Sequence, residues 1–260
     1  MPRLLGTLRQ VPAHFFHRFF DYLVKSILGI LGIAGVMSTH TATAALTDTK
    51  PFMVSFPADY GRQVGEDHLY RQALKEFSLG RHREAEQLWQ ASAAQGSPHS
   101  QFALGALYSA GDMQTGAQQD YPQALSWYRK AADQGHAGAQ FNVGIFYANG
   151  QVVTRDLVTA AEWWRSAAIQ GHVEAQFNLG LLYAQGEGVA QDLKEAALWW
   201  ELAAKQSYAA AQFNLGILYV KGQGVDEDPT EALRLWQLSA RQGFGQAIHA
   251  LKTLQMTPDR

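Results

Sequence analysis

The feature that most limits what this chain can fold into is an internal repeat. The segments beginning at His136, His172 and Tyr208 align without a gap over 36 residues each. They carry AQFNVGIFYANG from Ala139, AQFNLGLLYAQGEGV from Ala175 and AQFNLGILYVKGQGV from Ala211, each followed by an alanine-rich, tryptophan-containing stretch. An earlier copy starts near Ser97, includes QFALGALY and is three residues longer in its loop. A segment this short cannot bury an apolar face by itself, so successive copies must stack on one another.

Each copy decodes as two helices. Ala160, Ala161, Trp164, Ala167 and Ala168 fall at offsets 0, 1, 4, 7 and 8, one face of a helix, and recur as Ala196, Ala197, Trp200, Ala203 and Ala204. Asp156, Asp192 and Asp228 stand at the helix starts as N-caps, with Glu195 and Glu231 three residues on in capping-box spacing and Pro229 at the first helical position. Gly96, Gly135, Gly171 and Gly243 occupy the places where a left-handed C-cap is needed. In the first helix Ala175, Leu179, Gly180 and Tyr183 share a face, and the glycine admits a close neighbour.

These residues resemble Sel1-like repeats, relatives of the tetratricopeptide repeat, in the pattern A-Q-x-N-L-G-x-x-Y-x-x-G-x-G-V followed by D-x-x-E-A-x-x-W-W-x-x-A-A-x-Q-G. The resemblance covers residues 97–243, as copies 97–135, 136–171, 172–207 and 208–243. Departures are few: Val152 replaces a loop glycine, Ser207 a C-cap glycine and Ala103 the asparagine. The family implies an all-α fold, a right-handed α-solenoid of helical hairpins.

The flanks read as caps. Tyr70, Ala73, Leu74, Phe77, Ala85, Leu88 and Trp89 make a shorter hairpin at 66–96 with a tight Leu79-Gly80 turn, more like a plain tetratricopeptide unit. In the segment 244–260, Phe244 to Met256 has the spacing of another first helix, but Lys252 stands in the register of Gly144, Gly180 and Gly216 and bars close packing by a further helix, so this is a C-terminal capping helix. Eleven helices and no strand are expected.

Ahead of the repeats, residues 1–45 carry Arg3, Arg9, Arg18 and Lys25 against Asp21, then the apolar run Ser26 to Met37, then small residues to Ala45. That is the layout of a secretory signal cleaved after Ala44, with an uncleaved inner-membrane anchor as the competing reading. The run spans roughly 18 Å as a helix, short of the roughly 30 Å hydrocarbon core. Residues 46–65 hold Pro51, Pro57, Gly61 and Gly65 without a sustained period and read as a linker. A periplasmic or secreted body follows, with any membrane attachment confined to the N-terminal segment.

The remaining composition narrows the chemistry. No cysteine is present, which removes disulfides, thiol nucleophiles and thiolate zinc sites. Residues 46–260 hold 17 cations against 22 anions, and nothing longer than Arg81-His82-Arg83 forms a basic cluster, so nucleic acid is not an expected partner. The histidines lack zincin spacing, the glycine loops at 186–188 and 222–224 follow no strand, and Asp226-Glu227-Asp228 lacks a calcium loop. No catalytic residue, metal or cofactor is expected.

The resemblance therefore implies a non-enzymatic, monomeric scaffold in the bacterial envelope that binds a protein or peptide partner. The alternative, a cell-wall or β-lactam-directed hydrolase, is drawn from cysteine-rich Sel1 relatives whose cysteines this chain lacks. If the tetratricopeptide register carries over, Phe102, Phe141, Phe177 and Phe213 point into a concave groove beside Ala106, Ile145, Leu181 and Ile217. Two alternatives stand for the phenylalanines, an exposed groove or packing between repeats. Asn142, Asn178 and Asn214 form a second row, read either as groove residues or as a structural hydrogen-bond ladder. Trp127, Trp163 and Trp199 sit one step off the core tryptophan position and are expected on a partly exposed ridge.

Overall fold

A computed structural model describes residues 67–111 and 118–256. The expected signal segment at 1–45 and the linker at 46–65 lie outside these residues. Within them are eleven helices and no strand: α1 His68–Ser78, α2 His82–Ala94, α3 Pro98–Ala110, α4 Tyr121–Asp133, α5 Ala137–Asn149, α6 Leu157–Ile169, α7 Val173–Gln185, α8 Leu193–Lys205, α9 Ala209–Lys221, α10 Pro229–Arg241 and α11 Gly245–Met256. No helix among the described residues is long and apolar enough to cross a membrane.

The chain divides into two compact bodies, and the division falls within α7. The N-terminal body holds the described residues up to Leu179, with 187–189; the C-terminal body holds 180–186 and the residues from Ala190. In the N-terminal body three hairpins, α1/α2, α3/α4 and α5/α6, pack in succession. In the C-terminal body α8, α9, α10 and α11 do the same.

The helix starts form where the sequence places them. Asp156 accepts from the Val158 and Thr159 amides at 3.0 and 3.2 Å, Asp192 from Lys194 and Glu195 at 2.9 and 3.2 Å, and Asp228 from Glu231 at 2.9 Å. The capping boxes do not close. The amides of Asp192 and Asp228 already donate to the carbonyls of Tyr183 and Tyr219, at 2.9 and 3.0 Å. Glu195 instead accepts from Trp199 Nε1, and Glu231 binds Arg234. Each tyrosine carbonyl thus closes the loop onto the start of the second helix.

At the helix ends Gly135, Gly171 and Gly243 have φ of 87°, 89° and 84°, and Ser207 adopts 65° in the same role. Val152 takes φ 69° in place of a loop glycine.

The core follows the alanine and tryptophan face. Ala160, Ala161, Trp164, Ala167 and Ala168 are all buried, as are Ala196, Ala197, Trp200 and Ala203, while Ala204 is half-buried. Trp127 and Trp163 are half-buried, as a ridge would have them, but Trp199 is buried. On α11, Ala247 and Ala250 are buried against Phe213, Val220, Ala232 and Trp236, while Lys252 is exposed.

Candidate protein-binding face

The first helix of each hairpin supplies the residues singled out from the sequence, and a glycine at its centre decides what surrounds them. A Cβ on Gly144 would lie 2.5 Å from Trp164 Cδ1 and Nε1, and the corresponding pairs in the C-terminal body are Gly180 with Trp200 and Gly216 with Trp236, also at 2.5 Å. With the indole drawn in this far, its N–H reaches the backbone three residues before the glycine: Trp164 Nε1 donates to the Phe141 carbonyl at 3.1 Å and Trp236 Nε1 to that of Phe213 at 3.0 Å.

This geometry corrects the picture of an open phenylalanine stripe. Phe213 is 2% exposed and Phe177 6%, while Phe102 and Phe141 are half-buried. Phe213 lies between Trp236 and Phe244, with ring centroids at 5.9 and 5.6 Å. Phe102 stacks on His136 at 4.5 Å and Phe141 on His172 at 4.6 Å. The first residue of the next segment packs on Phe102, Phe141 and Phe213, so these three rings take part in the packing between repeats. Leu181 is also buried, whereas Ile145 and Ile217 remain half-exposed.

The asparagines do not form the expected ladder. Asn142 Nδ2 bonds back to the Gly138 carbonyl one turn earlier, at 2.9 Å. Asn178 and Asn214 are 8% and 6% exposed, yet their side chains make no hydrogen bond among the described residues, and their amides are not among the atoms sealed from solvent.

A ladder does exist, built from glutamines that the sequence reading passed over. Gln101, Gln140, Gln176 and Gln212 are buried and donate to the carbonyls of Ala93, Ala132, Ala168 and Ala204, each near the end of the preceding helix, at 3.1–3.3 Å. Their own oxygens accept from glutamines closing the second helices: Gln134 onto Gln101 and Gln170 onto Gln140 at 2.8 Å, and Gln242 onto Gln212 at 2.9 Å. These carbonyls already accept from the amides of Gly96, Gly135, Gly171 and Ser207 at 2.9–3.0 Å, and the glutamine adds a second bond to each helix end. The signal was the recurrence of Gln beside each of the four phenylalanines.

One buried polar constellation bears on catalysis. Ser100 Oγ donates to Ser92 Oγ at 2.7 Å, and Ser92 Oγ lies 2.9 Å from Asp67 Oδ2. Burial pushes the Asp67 carboxyl up, but hydrogen bonds from Ser97, the Tyr70 amide and Ser92, with the charge of His99, hold it below its ordinary value. The two hydroxyls are at most 1% exposed and spend their protons on this chain, which ties the start of α1 to α2 and α3. Such an arrangement holds helices and offers no accessible nucleophile. Among the described residues no group of three or more His, Asp or Glu side chains is arranged to hold a metal ion.

A family model described as the Sel1 repeat matches residues 98–136, 137–172, 173–208 and 209–244, the segments that contain α3 to α10. The crystal structure of a Sel1 repeat protein from Oxalobacter formigenes is similar with a TM-score of 0.64 and 32% identity, over 69% of this chain and 70% of that one. The protein c5321, a protective antigen of uropathogenic Escherichia coli strains with an SLR fold, is similar with a TM-score of 0.63 and 28% identity, over 71% of this chain and 44% of its own. A curated relative, the ERAD-associated E3 ubiquitin-protein ligase component HRD3A of Arabidopsis thaliana, is 34% identical over 77 residues, which amount to 30% of this chain and 11% of the plant protein. The all-α fold class is the one these solved repeat structures share. Sel1 repeat proteins are in general scaffolds for protein–protein interaction. With four matched repeats across more than half its length, the chain belongs to the Sel1 repeat family.

Proposed function

We propose that the chain is a non-enzymatic, exported scaffold that holds a protein partner along its first-helix faces in the bacterial envelope. The observation that carries this reading is the pair of unpartnered amides: Asn178 in the N-terminal body and Asn214 in the C-terminal body are more than nine-tenths buried without a side-chain hydrogen bond among the described residues. Both amides still reach solvent, and a primary amide offers a donor and an acceptor together, which matches the backbone of an extended peptide. Ile217, three residues after Asn214 on α9, and Ile145 on α5 provide half-exposed apolar surface.

Export rests on the basic, apolar and small-residue succession of residues 1–45. The description of c5321 as a protective antigen is compatible with a protein displayed outside the cytoplasm.

The test is crosslinking in intact cells followed by mass spectrometry, with wild type beside Asn178→Ala and Asn214→Ala variants of unchanged helical content. Loss of a discrete partner from the variants supports the reading; capture that is the same for all three overturns the site. The intact mass of the same bait reports on export, since a chain starting at Ala45 in the envelope fraction supports it and a full-length cytoplasmic chain contradicts it.

A further inference from the structure

We propose that His136 is an acid-sensitive latch at the boundary between the first two Sel1 repeats, fastening α5 to the preceding repeat while its ring is neutral and releasing it when the ring is protonated. Two contacts define the latch. His136 is the N-cap of α5, and its Nδ1 accepts from the Ala139 amide at 3.2 Å. Its ring also stacks on Phe102 of α3, at 4.5 Å and 21° between planes. Where the first repeat begins, Ser97 plays the same capping role with a hydroxyl, accepting from the Ser100 amide at 3.3 Å. The histidine therefore adds titration to a cap that a serine performs without it.

A proton on Nδ1 converts the acceptor into a donor, and the Ala139 amide loses its partner. The new charge also faces the positive end of α5, which disfavours a cation. The ring is 8% exposed, so little water remains to solvate it. Two titratable neighbours oppose the charge. On α3, His99 meets His136 edge-on at 5.1 Å, and His172, at the start of α7, also disfavours the charge. Of the carboxylates, Asp67 acts on His99, and Glu174 Oε2 lies 3.4 Å from His172 Nδ1. Tyr128 of α4, beside Phe102, is buried and keeps its proton. Burial first, then His99 and His172, against a smaller opposing contribution from its own backbone, push His136 down to about 4. Because the unfolded ring takes its proton near 6.5, the unfolded chain holds more protons between these two values, and the latch weakens as pH falls through that window.

His172 provides an internal contrast. It caps α7 through the Ala175 amide at 3.4 Å and stacks on Phe141, but its Nδ1 keeps Glu174 as a partner when protonated. Its response to acid should be the smaller of the two.

The test is hydrogen exchange on the full chain, followed at the first turn of α5 and corrected for the intrinsic pH dependence of exchange. In wild type the opening constant should rise below pH 6.5 by up to about tenfold per pH unit, the limit for one proton. His136→Ser should remove most of this rise whatever its effect on exchange at neutral pH, and His172→Ser should leave it in place. An equal rise in His136→Ser, or none in wild type, overturns the latch. Should His136→Ser fail to fold, nitrogen NMR of wild-type histidines decides: His136 with an unprotonated Nδ1 at pH 5 supports the proposal, and titration near 6.5 refutes it.

Discussion

Gly144 lies against the face of Trp164 so closely that a Cβ would come within 2.5 Å of the indole Cδ1 and Nε1, a separation that real Cβ atoms do not show. The absence of one methyl group on α5 therefore lets the tryptophan of α6 reach the Phe141 carbonyl. Gly144→Ala should force the indole out of this seat, at a cost of about 1 to 3 kcal/mol for overpacking. Thermal unfolding of the variant should show a lower midpoint, and an unchanged one would mean that the indole has another seat of equal quality.

The helical frame was legible because its determinants are local and repeated. Ala160, Trp164 and Ala168 mark a face by spacing alone, and Asp156 caps wherever a helix start needs an acceptor. Even the departures were readable: Val152 and Ser207, standing where glycines recur, both adopt positive φ. What spacing does not reveal is what covers a side chain from the next repeat. Phe102 reads as groove or core until His136 is found stacked on it. Gln140 carries no expectation from spacing, and its role shows only when Ala132 and Gln170 are found on either side of its amide. Asn142 resolves in the opposite direction, since its bond is to its own helix and joins no repeats.

Val152 holds φ at 69° although it is β-branched and 50% exposed. The left-handed region costs a side chain about 1 to 2 kcal/mol, while glycine returns roughly 0.5 to 1 kcal/mol of that through its freer unfolded state. Val152→Gly should stabilise the protein by about 0.5 to 1 kcal/mol, read as a higher denaturant midpoint with the same slope. Ser207→Gly should act in the same direction.

Phe213 and Asn214 are neighbours on α9 with opposite predicted roles. Phe213→Ala empties a site enclosed by Trp236 and Phe244 and should cost about 3 to 5 kcal/mol. Asn214→Ala removes no hydrogen bond among the described residues and should leave stability within about 0.5 kcal/mol of wild type, as for a substitution away from any structural network. Denaturant melts of the two variants check both, and a large loss on Asn214→Ala would make that asparagine structural.

Asp67 caps α1 through the Tyr70 amide at 2.9 Å and accepts from Ser92. Its carboxyl is held below the ordinary value, so its contribution is present above the unfolded carboxyl range and is lost as pH falls through the depressed folded value. Asp67→Ala should cost about 1 to 3 kcal/mol at neutral pH, through a lost cap and an orphaned serine hydroxyl. It should also flatten the acid limb below pH 4, measured by denaturant melts across that range. This limb lies below the window assigned to His136, so the two residues can be separated in one pH series.

The glutamine ladder tests whether repeats are joined by polar bonds as well as by packing. Gln140 donates to Ala132 at 3.3 Å and accepts from Gln170 at 2.8 Å, both inside the N-terminal body. Gln140→Leu keeps a side chain of similar bulk but removes one of the bonds to the Ala132 carbonyl, which keeps the Gly135 amide at 2.9 Å, and leaves one Gln170 donor unpaired, so a loss of about 0.5 to 1.5 kcal/mol is expected even though the replacement is more apolar. If packing alone joined the repeats, the leucine would be neutral or stabilising. Adding Gln170→Leu should cost less in the Gln140→Leu background than in wild type, because the bond between them is already gone. A coupling of about 0.5 kcal/mol or more in that double-mutant cycle would make the ladder an energetic link between the first and second halves of one repeat.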